Sequence, residues 1–438
     1  MKPGASAAER TAYGKSRRES VSRAAHANLQ PKERGFDPLA ALRSSEQGRV
    51  PALLPVKYGR MKASPFAFFR GAAALMAADL GRLPNSGLLA QLCGDAHVQN
   101  LGSFATPDGK LVFDLNDFDE TIRGPFEWDL KRMAASIVLA GGESGHDRAG
   151  AKTAAEAFAR RYCRAIGEFS RQPILEVARH SIHREKRVRP IHAALRQSER
   201  GNPRDLIEKL TEPNLRGRPH FRDSKPVLWR IRGAKARLIL DSLAEYRKNL
   251  APERRHLFDL FHPVDVGFKV VGTGSVGLRD YVALFEGNSP GDPMFLQIKQ
   301  EAPSVYARYL PEETHPHQGR RTAEGQRAIQ PISDLLLGWT TIGQEQYLVR
   351  QLNDHKGSID LQRLRGDGLE SLALVAGELL ARGHARSGDA CALSGYIGAG
   401  AKFVKALRDF ACEYADQTVA DYAVFTAAIK SGKIKAAA

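Results

Sequence analysis

QLCGDAHVQNLGSF, residues 91–104, packs Asp95, His97 and Asn100 into six positions of otherwise apolar text, and a second acidic cluster, FDLNDFDE, starts at Phe113. The first stretch precedes an extended run, KLVFDLNDFDE, and two strands in that order invite a loop between them. Such a loop presents one carboxylate, Asp95, to a hydroxyl proton and one amide oxygen, Asn100, to a metal. Asp117 follows the apolar strand residues Val112, Phe113 and Leu115 and supplies the carboxylate that Mg²⁺ prefers, with Asp114 and Asp119 as neighbours on alternate faces. Each acid taken singly reads equally well as a loop cap or Asx-turn. The set together does not.

A second stretch far down the chain bears on the same chemistry. VGTGSVGLRDYVALF places Gly272, Gly274 and Gly277 at G-x-G-x-x-G spacing, followed by a strand rather than by the helix that a dinucleotide-binding fold requires. A glycine-rich turn between strands lets backbone N–H groups approach phosphate oxygens closely. FLQIKQ then sets Lys299 in an apolar strand, where an inward ammonium needs an anion. Glu324, in RRTAEGQRAIQ, is the first candidate for the carboxylate that orients it, and Glu301 the second.

The pattern around these stretches divides the chain. Residues 1–30 are basic and polar and are expected to be poorly ordered. PFAFFRGAAALMAADL, from Pro65 to Leu80, has helical spacing. After Trp128, EWDLKRMAASIVLAGG, AAEAFARRYCRAIGEF and AKARLILDSLAEYRKNL keep a 3.6-residue period, so 31–260 reads as a large helical unit carrying both acidic loops. Residues 180–225 fit no clear pattern. Short β-branched and aromatic runs between Gly, Asn, Asp and Pro make 261–355 a small antiparallel sheet unit interrupted by one helix at GRRTAEGQRAIQPISD. Residues 356–438 return to helix. The fold class expected is α+β.

Net charge is +16, and residues 179–237 hold 17 Lys or Arg against 6 Asp or Glu, a local surplus of +11. Such a stretch is a solvated surface, a cradle for an anionic substrate or a nucleic-acid-facing patch; nucleic acid rests on charge alone, because no aromatic RNA-binding motif or zinc finger accompanies it. Four scattered cysteines without a C-x-x-C pair suggest neither a disulfide framework nor a zinc site. No run of apolar residues is long enough to cross a bilayer and no secretory signal opens the sequence, so no membrane partner is expected and the simplest location is cytoplasmic.

GDAHVQN resembles the G-D-x-H-x-x-N catalytic loop of aminoglycoside and choline phosphotransferases in the protein-kinase-like superfamily. NDFDETIRGPFEWDL resembles their metal loop, with Asp117 leading to Asp129, and the Gly-rich hairpin with QIKQ resembles their nucleotide-binding small lobe. More closely, YGRMKASPFAFFRG, GDAHVQN and HARSGD resemble domain-of-unknown-function family 2252, an uncharacterised bacterial group, from about residue 35 to about 425. The superfamily resemblance implies a two-lobed protein-kinase-like fold that is circularly permuted, since the catalytic loop here precedes the Gly-rich loop. It implies ATP and Mg²⁺, with Asp95 accepting the proton of a hydroxyl on an unknown small-molecule acceptor and Asn100 and Asp117 holding the metal. Lys299 would neutralise phosphates that Gly272, Gly274, Ser275 and Gly277 cover, His97 would brace the loop, Asp119 would join the catalytic set, and Asp129 would cap the loop backbone. Adenine would lie against Gln351, Leu352 and Asn353.

Two other classes compete. A metal-dependent phosphoesterase also uses G-D-x-H, but it needs a G-N-H and a second D-x-H that the sequence lacks. An ATP-binding pseudokinase, or a binder of anionic ligands or nucleic acid without catalysis, would have less use for Asp95, Asn100, Asp117 and Lys299 together.

Overall fold

The computed structural model describes residues 4–437 apart from 30–33, 107–108, 182–187, 200–202, 216, 271, 290 and 353–356. It is a mixed α+β molecule built on antiparallel sheets. The strands are β1 Leu89–Leu92, β2 Leu101–Ala105, β3 Leu111–Leu115, β4 Ile122–Pro125, β5 Thr211–Pro213, β6 Pro219–Phe221, β7 Leu228–Ile231, β8 His262–Lys269, β9 Asp280–Glu286, β10 Pro293–Gln300, β11 Gly338–Ile342, β12 Glu345–Gln351 and β13 Gly357–Ser358. Six of them form one sheet in the order β11-β12-β10-β9-β8-β7.

Alternation along β10 explains how that sheet serves two purposes. Met294, Leu296 and Ile298 point into one apolar core with Tyr281, Ala283 and Phe285 of β9. On the opposite face Phe295 packs with Phe221, Val282 and Leu284, and the same period carries Gln297 and Lys299 onto that face. The strand therefore ends in polar side chains directed away from the sheet's main core.

A larger core lies among the helices Glu127–Glu143, Arg148–Phe169, Gly368–Ser387 and Ala401–Lys430. Within it β1 pairs with β4 and β2 with β3. The two pairings are nested, so the β1–β2 and β3–β4 connections come out side by side. These connections are residues 93–100 and 116–121, the two acidic loops. The end of the Gly368–Ser387 helix abuts β1: the Gln91 N–H donates to Ser387 Oγ at 3.1 Å.

The fold departs from the sequence reading in three places. Residues Ala7–Ser20, expected as part of a poorly ordered tail, form a helix with a Ser6–Glu9 capping box. It lies so close to the Ala390–Ile397 helix that a Cβ at Gly14 would come 1.8 Å from the Ala392 carbonyl oxygen. Pro65–Leu80 is two helices, Pro65–Gly71 and Ala73–Leu80, broken at Ala72. The helices Gly233–Asp241, Leu243–Lys248 and Pro252–Asp259, placed by periodicity in the helical unit, pack on the sheet through Ile239, Leu243, Tyr246 and Phe258. Their period is right; periodicity says which face is apolar and not which core receives it.

The N-terminal segment also seals His26, which is 0% exposed and pairs with the Tyr396 hydroxyl at 2.7 Å. Burial, reinforced by the Lys131 charge, pushes its pKa down to about 3. The unfolded chain protonates His26 below about pH 6.5 while the fold refuses that proton, so its contribution to stability falls as pH drops, by about 1.4 kcal/mol per pH unit. His26→Gln removes this titration. Its destabilisation in urea titrations is expected to shrink by about 2 kcal/mol between pH 7 and pH 5.

Candidate functional site

One face of the Glu127–Glu143 helix builds the first loop. Asp129, Arg132 and Ser136 recur at three- and four-residue steps and so align. The Asp129 carboxylate accepts the N–H groups of Cys93 at 2.8 Å and Gly94 at 3.0 Å. Arg132 Nε donates to Asp95 Oδ1 at 2.5 Å. Ser136 Oγ accepts the Val98 N–H at 2.8 Å. Gly94 has φ +84, and a Cβ there would stand 2.0 Å from the Glu120 carbonyl oxygen. Gly94→Ala combines a left-handed backbone with a backbone clash between the two loops, and a stability loss of about 2–3 kcal/mol is expected in chemical denaturation.

Asn100 ties the loops together. Its Nδ2 donates to the carbonyls of Asp95 at 3.0 Å and Asp117 at 2.9 Å. Its Oδ1 accepts the N–H groups of Asn116 at 3.2 Å and Asp117 at 2.6 Å. Both lone pairs of that oxygen are used, so in this arrangement Asn100 orders the loops instead of offering a metal ligand.

The sheet meets these loops at one point. The Lys299 ammonium forms an ion pair with Asp119 Oδ2 and lies 3.7 Å from Asp117 Oδ1. Ser275, in the Gly-rich turn, donates its hydroxyl to the same Asp119 oxygen at 2.7 Å. Lys299 is 3% exposed, and the two carboxylates hold its pKa above the ordinary lysine value against the cost of burial. Asp119 is held below the usual carboxylate range by Lys299 and Ser275. Burial and the Asp119 charge push Asp117 up to about 6. Asp117 Oδ1 and Asp119 Oδ1 are buried without a hydrogen-bond partner, an oxygen-only donor pair of the kind hard divalent cations take. Among the described residues no group of three His, Cys, Asp or Glu side chains is arranged to hold a metal.

A cavity of about 450 Å³ joins the parts, lined by Asp95, His97, Asn100, Asp117 and Asp119 from one side and by Gly272–Ser275 from the other. The Gly-rich turn is pinned from outside: the Val50 N–H donates to the Gly277 carbonyl at 2.7 Å, Arg49 to the Val276 carbonyl at 2.5 Å, and Arg60 to the Gly272 carbonyl.

Other expected residues lie elsewhere. Glu324 faces solvent, paired with Arg320 at 2.7 Å one turn back on its own helix, Gln318–Ile329; the carboxylates that meet Lys299 are Asp119 and Asp117. Glu301 is buried, accepts the Thr322 hydroxyl at 3.0 Å and is raised well above its ordinary pKa by burial. His97 makes no loop-bracing hydrogen bond. Its Nε2 is 3.8 Å from Asp95 Oδ2 and its Nδ1 has no partner. Burial pushes its pKa down to about 3, which keeps it neutral. Gln351 and Leu352 do not line the cavity: their N–H groups donate to Asp334 Oδ2 and the Phe295 carbonyl, and Leu352 packs against the apolar cluster under the sheet. Asn353 falls outside the described residues. Between these residues and Lys299 the sheet face carries Gln297, hydrogen-bonded to Asp280 at 2.7 Å and to Arg350 at 2.8 Å. His384 of HARSGD is buried, bonded to the Tyr162 hydroxyl at 2.8 Å, and Asp389 caps the Ala390–Ile397 helix.

Compared with known families, residues 49–428 match the model described as "Uncharacterized protein conserved in bacteria (DUF2252)". No curated protein and no solved structure matches the chain. Among the described residues no helix is long and apolar enough to cross a membrane.

Proposed function

The chain belongs to this bacterial DUF2252 family, and we propose that it is a circularly permuted kinase-like phosphotransferase, moving the γ-phosphoryl group of ATP to a hydroxyl of a small-molecule acceptor with Mg²⁺. The observation that carries this reading is the junction of Lys299 with Asp117 and Asp119. Residues some 180 positions apart meet there, and its two carboxylates line a cavity that Asp95 also lines, with Lys299 behind them. Phosphoryl transfer asks a protein mainly to position groups and neutralise charge, and these are the charges it uses. Permutation is supported by the contact of Ser387 with Gln91, which brings the C-terminal helix against the strand that leads into the Asp95 loop.

Each residue then has a task. Asp95 is held by Arg132 through one oxygen, and its other oxygen is placed to take the hydroxyl proton as the acceptor attacks. Asp117 and Asp119 would hold Mg²⁺, with Asn100 fixing their loop. The chemistry the ion would supply is positive charge against the phosphate oxygens during transfer. Mg²⁺ is typically held by one or two carboxylates, with phosphates and water completing its shell. Lys299, paired with Asp119, would add positive charge behind the phosphates.

ATP labelled at the α- or γ-position, incubated with a metabolite extract and Mg²⁺, tests the reaction. Label is expected to pass to a product only from the γ-position; transfer of the α-label would replace phosphoryl by nucleotidyl transfer. Asp117→Asn separates structure from function. Its side chain is about half exposed and lies 3.7 Å from the Lys299 ammonium, so melting without ligand should change little, while the rise on adding Mg²⁺ and ATP should largely vanish.

A further inference from the structure

Of the cations that line the cavity, Arg49 pins the Gly-rich turn and Arg308 is exposed; Lys57 and Arg70, both from the stretch that runs from Lys57 through YGRMKASPFAFFRG to Gly71, have no task in this scheme. Arg70 lines the cavity beside Asp95. Its Nε is buried without a hydrogen-bond partner. Among the described residues Arg70 makes no hydrogen bond or ion pair. Lys57, also on the wall, is 0% exposed. Its ammonium reaches only Ser45 Oγ, at 2.9 Å, and no carboxylate of the described residues lies within ion-pair distance.

The acidic groups nearby are already matched. Arg132 holds Asp95, Lys299 holds Asp119, and the Glu120 carboxylate accepts the Val305 N–H at 2.7 Å. Arg70 is half-buried, with its Nε unpaired and the charges of Asp95, Asp117 and Glu143 acting on it from beyond ion-pair distance, so an anion in the cavity would supply the direct partner that the guanidinium lacks. Arginine's planar donors suit the paired oxygens of a carboxylate or phosphate.

We infer that Arg70 binds an oxyanion of the phosphoryl acceptor, so that the acceptor is a hydroxyl compound that also carries a carboxylate or phosphate. This rests on the phosphotransferase reading and narrows it. Of the carboxylates around it, Asp95 acts most strongly on Arg70, ahead of Asp117, and Asp95 is where the acceptor hydroxyl would lie; Lys299 stands behind Asp119 on the nucleotide side.

Calorimetric titration of inorganic phosphate into protein saturated with Mg²⁺ and a non-hydrolysable ATP analogue tests it. Phosphate is expected to bind that complex, at least tenfold more weakly in Arg70→Gln, with Arg70→Lys recovering part of the affinity and confirming that the site is folded. Analogue and ADP affinities should stay unchanged in both variants. Failure of phosphate to bind the saturated complex, or binding indifferent to Arg70→Gln, overturns the subsite. So does an Arg70→Gln variant that loses affinity for the analogue but not for ADP, because Arg70 would then read the γ-phosphate. Absence of nucleotide binding to the wild type is a separate result that removes the phosphotransferase reading itself.

Discussion

Asp95→Asn is expected to lower γ-phosphoryl transfer by about 10²- to 10⁴-fold, the range lost when a positioned general base is removed. Asparagine keeps an oxygen for the Arg132 hydrogen bond but cannot take a proton. The same substitution has a structural cost. Arg132 is 0% exposed, its Nη2 donates to the Phe69 carbonyl at 3.0 Å, and among the described residues its ion-pair partner is Asp95. Breaking a buried pair from one side costs about 3–5 kcal/mol, because the remaining charge is stranded. Stability and activity must therefore be measured together. The double variant Asp95→Asn, Arg132→Met removes both charges and should recover much of the melting temperature with no recovery of transfer. Recovered activity in that double variant would show that Asp95 serves only to neutralise Arg132.

The loops were legible in the sequence and their supports were not. Asp95, Asn100 and Asp117 sit where strands end and polar residues interrupt apolar text, so their spacing carries information. Arg132, next to Lys131, and Arg70 are cations inside helices, and a cation there reads equally well as a side chain snorkelling to solvent. A usable signal did exist for Arg132: Asp129, Arg132 and Ser136 share one face of an otherwise apolar helix. Glu324 shows the converse error. Its helix buries Gly319, Thr322, Ala323, Gln326 and Ile329, and reading that phase would have turned Glu324 outward. Asn100 carried the right residue type for a metal, but the hydrogen bonds that occupy its oxygen come from backbone sixteen and seventeen positions away, beyond what spacing encodes. The N-terminal helix was announced by Ser6 and Glu9, a capping box hidden in a segment whose charge suggested disorder.

Lys299→Met carries the other large effect, and its signature lies in pH. Lys299 is the cation common to Asp117 and Asp119, and Glu301 lies close enough for its charge to act on the same ammonium. Without the lysine, a cluster of carboxylates is left with too little positive charge, and destabilisation of about 3–5 kcal/mol at pH 7 follows. In the wild type Lys299 keeps Asp119 depressed, so Asp119 contributes stability that is lost only as pH falls through its lowered pKa, below the usual carboxylate range. In the variant Asp119 joins Asp117, whose carboxyl is already raised in the wild type. The folded-state carboxyls rise above their unfolded values, the fold takes up protons before the unfolded chain does, and stability should increase as pH is lowered from 7 toward 5. Adding Asp119→Asn to Lys299→Met should restore stability at pH 7 and flatten that rise, while affinity for Mg²⁺ and ATP stays at least about tenfold below wild type, because the phosphates have lost their cation. Urea titrations at pH 5 and 7, with calorimetry of nucleotide binding, give both readouts. A Lys299→Met protein that lost stability with acid as the wild type does, and bound nucleotide unchanged, would mean that the sheet and the acidic loops meet without forming a phosphate site.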